Sequence, residues 1–136
     1  MFIIVNRTFF KWFTASWVGG IALIPFIIIK NKQIRDDKVL VNHEKIHIRQ
    51  QIELLILPFF VWYGLEYLLR LAQYKNKRIA YQNISFEREA FANELDFNYL
   101  SQRKIWSFCR YLWGQKLDTL SNSGTMISSH IVSQLE

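Results

Sequence analysis

Hydrophobic and polar positions change their period several times along this chain. From Trp12 to Ile29 no charged side chain occurs, a run of eighteen residues and just long enough for a membrane span. Gly19, Gly20 and Pro25 interrupt that run, and Ile21–Ile29 is rich in β-branched residues, so the pattern predicts a strand over 21–29. Pro25 inside it points to an edge strand, because proline cannot donate to a ladder. Met1–Arg7 lacks the basic region and small-residue cleavage site of a secretory leader. Lys30–Lys38 reads as a charged turn. Asp36 or Asp37 is placed to cap the helix that follows, expected from about Asp37 to Gln51.

Ile52–Ala72 is strongly apolar but contains Glu53, Glu66 and Arg70, charges that a free-standing span rarely carries near its centre. The pattern predicts a kinked apolar helical segment here, broken from the preceding helix at Pro58. It either packs on the core or lies partly in a bilayer, with Trp62, Tyr63 and Tyr67 suited to an interface. Gln73–Asn83 reads as a polar, basic connection. A further helix is expected from a Ser85 cap to about Leu100, with Phe86, Ala90, Phe97 and Leu100 near one face. A shorter one is expected over Lys104–Trp113, ending at Gly114. From Ser121 the chain turns polar and Ser-rich. Residues 1–120 therefore read as one domain and 121–136 as a flexible polar tail. The expected fold class is mainly α with a small β element (α+β).

Composition sharpens this in one respect. Eleven Phe, five Trp and six Tyr within 136 residues imply either a large core or a protein that meets lipid. The net charge of +6 favours anionic partners. The basic residues are spread between apolar elements and not gathered in a stripe, so membrane lipid is expected as a partner and nucleic acid is not. A single cysteine, Cys109, excludes an intrachain disulfide.

The candidate chemistry lies in Asn42–Gln51, where His43-Glu44-Lys45-Ile46-His47 forms a His-Glu-x-x-His pattern. Positions four apart share a helical face, so His43 and His47 aim their imidazoles at a common point. That geometry suits tetrahedral Zn²⁺, with Glu44 near enough to act as general base on a bound water. Two helical histidines without a metal are the bland reading; the pattern arises by chance in roughly one chain of a few hundred. Gln50 and Gln51 follow on the metal-facing side, as groups that could orient a ligand or simply as polar helix positions. A third ligand must come from elsewhere. His130 falls in the tail, which leaves the acidic helix bearing Glu87, Glu89 and Glu94.

His-Glu-x-x-His on one helix with a downstream Glu-x-x-Ala on a second resembles the gluzincin branch of zinc metallopeptidases. The likeness extends to His-Glu-x-x-His-x-x-Gln, through Gln50, and to Ser85-Phe86-Glu87-Arg88-Glu89-Ala90, as in small bacterial membrane-associated proteins of this kind. It covers about residues 20–100. It implies a zincin-like helix pair, His43, His47 and Glu87 as metal ligands, Glu44 as general base, a peptide or protein substrate, and a place at a bacterial inner membrane. Phe91 stands where that family's second motif has Asp. An alternative frame, Glu89-Phe91-Ala92-Asn93, would make Glu89 the ligand. Glu87 otherwise reads as a first-turn acid favoured by the helix dipole. Arg88, Tyr81 and Tyr99 are candidate transition-state donors, and an extended peptide could lie along Ile21–Ile29.

Two other classes compete. A non-catalytic membrane protein with a structural or degenerate zinc site would need a fourth protein ligand, for which Cys109 is the available thiol. A metal-free basic binder of membrane surfaces or nucleic acid leaves the histidine pair unexplained.

Overall fold

The computed structural model describes residues 2–8, 18–30, 32 and 36–113. The tail expected over 121–136, Gly114 and His130 lie outside the described residues. The described chain is mainly helical with one small three-stranded sheet, an α+β arrangement. Strands β1 (Phe2–Val5), β2 (Gly20–Leu23) and β3 (Phe26–Ile29) are ordered β1-β3-β2. Central β3 pairs in parallel with β1, Phe26 opposite Phe2, and antiparallel with β2, Ile29 opposite Gly20. The single strand expected over 21–29 is therefore a hairpin. Pro25 sits in its turn, after a cis Ile24–Pro25 bond, where the ladder donor it lacks is not needed. The alternation of Ala22, Ile27 and Ile29 buries one face of the sheet.

Helix α1 (Lys38–Leu54) begins as its sequence dictates. Asp37 is the cap, its carboxylate accepting from the amides of Val39 at 2.9 Å and Leu40 at 3.2 Å. Helix α2 (Ile56–Tyr74) follows at 112° to α1. The break falls at Leu55, with φ 66° and ψ 155°, and not at Pro58. Pro58 lies in the first turn of α2, where an amide would have no intrahelical partner and proline is tolerated. No described helix is by itself long and apolar enough to cross a membrane.

The stretch expected as a connection contains helix α3 (Lys77–Gln82), capped by the Asn76 side chain on the amides of Arg78 and Ile79. Helix α4 (Ser85–Asn93) stops seven residues short of Leu100. A turn intervenes before the short α5 (Tyr99–Gln102), which leaves Phe97 exposed and off the Phe86–Ala90 face. Ser85 is the first helical residue and not the cap. Its amide and hydroxyl both donate to the buried Glu66 of α2, at 2.9 and 2.7 Å, so a carboxylate from another helix serves the start of α4. The last expected helix is a 3₁₀ turn, Ser107–Tyr111. Leu54, Phe59, Ile84, Phe86 and Phe108 form the core between α1, α2 and α4, with the Phe86 and Phe108 rings 4.5 Å apart.

Candidate metal centre

Helix α1 crosses under the sheet and beside α4, and its buried face carries Asn42, His43, Glu44, Ile46, His47, Gln50 and Gln51. A face this polar needs a partner for every group. Asn42 donates to the carbonyls of Glu94 at 2.9 Å and Asp96 at 3.2 Å, which ties α1 to the end of α4. His43 and His47 stand one turn apart with their Nε2 atoms 3.1 Å from each other. Glu87, from α4, puts Oε2 3.3 Å from His43 Nε2 and Oε1 3.3 Å from His47 Nε2.

All three side chains are buried, and together they form a group that could hold a metal ion. Zinc–nitrogen bonds of about 2.0–2.1 Å at tetrahedral angles separate neighbouring ligand atoms by about 3.3 Å, close to the spacings seen here. The outer ring nitrogens fix the tautomers that such a site needs. His43 Nδ1 donates to Glu94 at 2.9 Å and His47 Nδ1 donates to the Gln50 side-chain oxygen at 2.8 Å, which leaves the Nε2 lone pairs turned inward. Gln50 cannot flip, because its amide nitrogen donates to Phe86 O at 3.2 Å and to Glu89 at 2.9 Å.

Without a metal the cluster holds a proton. Burial lowers the basicity of His43, but hydrogen bonds to Glu87 and Glu94 outweigh it and push its pKa up to about 10. His47 is also raised: burial opposes this, and the charge of Glu87 prevails. Burial alone would raise Glu87; the charge of His47 and hydrogen bonds from both rings bring it well below the usual carboxylate range. Two inward-facing rings in van der Waals reach and one carboxylate accommodate one shared proton, in the place where a cation would sit.

Glu44 lies beside this group, and burial pushes its carboxyl up against the opposing pull of His47 and His43. Its Oε2 is buried without any hydrogen-bond partner, so something polar is called for there. Glu44 and His47 also line a cleft of about 310 Å³ whose other walls include Gly20, Phe59, Phe60 and Tyr63. The donor set, the spacings and the orphaned Glu44 oxygen all fit a divalent cation with an adjacent water.

The remaining candidates separate cleanly. Glu89 is turned away from the rings and fully buried, accepting from Arg103, from Tyr99 at 2.7 Å and from Gln50. Tyr99 is thus engaged elsewhere, and neither it nor Arg88 lines the cleft. Tyr81 does line it, and the charge of Glu87 acts on its hydroxyl. Cys109 packs against the Leu54–Phe59–Phe108 core and is not part of the metal-capable group. Gln51 bonds the sheet: it donates to Ala22 O at 2.7 Å and accepts from the Ile24 amide at 3.2 Å. Through these two bonds the edge of β2 expected to receive a peptide is already occupied by α1 over Ala22–Ile24.

The role of Tyr63 escaped the sequence reading, and Glu94 entered it only as one of three acids on a helix expected to supply the third ligand. Tyr63 donates to Glu87 Oε1 at 2.6 Å, yet in the sequence it is one more aromatic in an apolar stretch. Glu94 accepts a hydrogen bond from His43 Nδ1, while Phe91 packs edge-on against the His43 ring at 4.7 Å. Its spacing of seven from Glu87 keeps it on one helical face, a signal that was there to be used. No protein-family model matches the chain, and no curated protein or solved structure proved similar to it.

Proposed function

We propose that the protein is a zinc-dependent metallopeptidase in which His43, His47 and Glu87 hold the metal and Glu44 is the general base. One observation carries the reading: two Nε2 lone pairs and a buried carboxylate converge on one point, and a second buried acid beside them, Glu44, has an oxygen with no partner. Zinc held there would supply an acidified water and a Lewis acid for a peptide carbonyl. Glu44 accepts the proton of the attacking water and returns it to the leaving amine. Its raised pKa suits that exchange better than an ordinary carboxylate would. Tyr63 and Tyr81 remain protonated, since burial and the nearby Glu87 charge raise both well above the usual phenol value. The Tyr63 hydroxyl orients Glu87, and both phenols offer donors along the cleft.

The same geometry weakens the structural-clamp alternative, because Cys109 supplies no fourth ligand. Metal analysis of purified protein together with a peptide-library cleavage assay tests the proposal. Near-stoichiometric zinc is expected in the wild type, lost in His43→Ala. Glu44→Gln is expected to retain the metal and lose hydrolysis by at least about 100-fold. Protein that stays metal-free with excess zinc, or a Glu44→Gln variant as active as the wild type, would overturn it.

A further inference from the structure

Among the described residues, helix α2 packs through one of its sides. Phe59 and Glu66 are buried, and Tyr63 and Tyr67 rest on the core, a spacing of three to four residues. The opposite side carries Leu57, Val61, Gly64, Leu65 and Leu68, with Leu57 75%, Val61 54% and Leu68 60% exposed. Between Leu54 and Leu69 the one charged side chain, Glu66, is turned inward. A Cβ added at Gly64 would meet nothing within 4 Å, so the strip is open at its midpoint. A continuous apolar strip of this kind marks an interaction surface.

The charges around it choose the occupant. Exposed Lys75, Lys77 and Arg78 follow the strip directly, and the whole chain carries a net charge of +6. An apolar strip that ends in a basic rim matches acyl chains beneath anionic headgroups. Exposed Trp113 lies beside Leu65 and Leu69, an aromatic of the sort found at the lipid–water boundary. At 1.5 Å per residue, Leu55–Leu69 extends about 22 Å, short of the roughly 30 Å hydrocarbon layer. The 112° turn from α1 also suits a helix that lies along a surface. The inner side of this helix lines the metal cleft, and Phe60 belongs both to that lining and to the exposed strip.

We propose that α2 seats in one leaflet of an anionic bilayer, with Leu57, Val61, Gly64 and Leu68 among the acyl chains, and that the cleft beside Phe60 therefore takes apolar peptide segments held at the membrane. The seating stands on the strip and its rim alone; the substrate class rests on the metallopeptidase reading. Flotation of the full chain with vesicles of phosphatidylcholine, with and without phosphatidylglycerol, tests it. Wild-type protein is expected to float with the anionic vesicles. Gly64→Asp has room for its side chain, so it keeps helix content and bound metal but loses vesicle affinity by at least about tenfold. Gly64→Leu is expected to bind at least as well as wild type.

Wild type that floats with neither vesicle, or Gly64→Asp that floats as well as wild type, overturns the seating. So does a lipid-free dimer that Gly64→Asp converts to monomer without any flotation, which would make a second copy the occupant. Cleavage of one apolar peptide equally well in solution and anchored to vesicles overturns the substrate class. A failure of the metallopeptidase reading appears separately, as flotation intact with no bound metal and no cleavage.

Discussion

Glu44 owes its position to a residue with no side chain. A Cβ on Gly20 would stand 2.6 Å from Glu44 Oε1 and 3.0 Å from its Cδ, and the buried carboxylate has nowhere to retreat. Gly20→Ala is therefore expected to keep zinc, whose proposed ligands it does not touch. It should lower peptide hydrolysis by about 10- to 100-fold, the scale of a general base displaced by about an ångström. Turnover and metal content measured on one preparation check this. The proton shared by the histidine rings gives a second expectation. His43 rises from 6.5 to about 10 on folding, so its contribution to stability is complete below about 6.5 and is lost as pH climbs to about 10. Glu87, lowered on folding, contributes above its ordinary value of 4.5 and loses that contribution as pH falls. In chelator, thermal stability should thus decline from about pH 6.5 to about pH 10. Zinc competes with the same proton, so its affinity should rise over that interval and flatten the decline. Unfolding curves across this pH range, with and without zinc, separate the two slopes.

At the scale of elements, what could be read in the sequence is what local rules decide. Helix α1 declares itself through the Asp37 cap, and the i, i+4 histidines need only that helix to meet. The break after it was not legible, because the obvious breaker is Pro58 and the actual one is a leucine. Leu55 adopts φ 66° and ψ 155°, a region essentially restricted to glycine, since the docking of α2 on the core dictates the turn. Ser85 misled for a similar reason: the groups at the start of α4 are satisfied by Glu66, nineteen residues earlier and on another helix. The Leu55 conformation costs about 1–3 kcal/mol, against roughly 0.5–1 kcal/mol for the greater chain freedom of glycine. Leu55 is also mostly exposed, so little packing is lost with its side chain. Leu55→Gly is expected to stabilise the fold in solution and Leu55→Val to destabilise it, each by about 1 kcal/mol in urea unfolding.

At the scale of the whole molecule, the metal-capable group is the inner end of a longer chain of bonds. Arg103 pairs with Glu53 on α1 and with both oxygens of Glu89 on α4. Glu89 accepts from Gln50, and Gln50 accepts from His47. Nothing local announces this. Arg103 belongs to no sequence motif, its partners are fourteen and fifty residues away, and its guanidinium is fully enclosed. The same distance explains why Glu87 could be linked to the histidines only through the gluzincin likeness, whereas the histidines could be linked to each other by spacing. Removing the cation would leave two buried carboxylates facing each other. Arg103→Met is thus expected to cost about 3–5 kcal/mol of stability. Arg103→Lys should restore only part of this, because a single ammonium cannot serve Glu53 and the two oxygens of Glu89 as a planar fork does. The chain of bonds also makes a prediction that a purely structural ion pair does not. With Glu89 released, Gln50 loses the acceptor that fixes its orientation, and His47 is no longer held with Nε2 inward. In the folded fraction of Arg103→Lys, zinc affinity should fall by about 10-fold or more. A drop in stability with unchanged zinc affinity would confine Arg103 to holding the helices together.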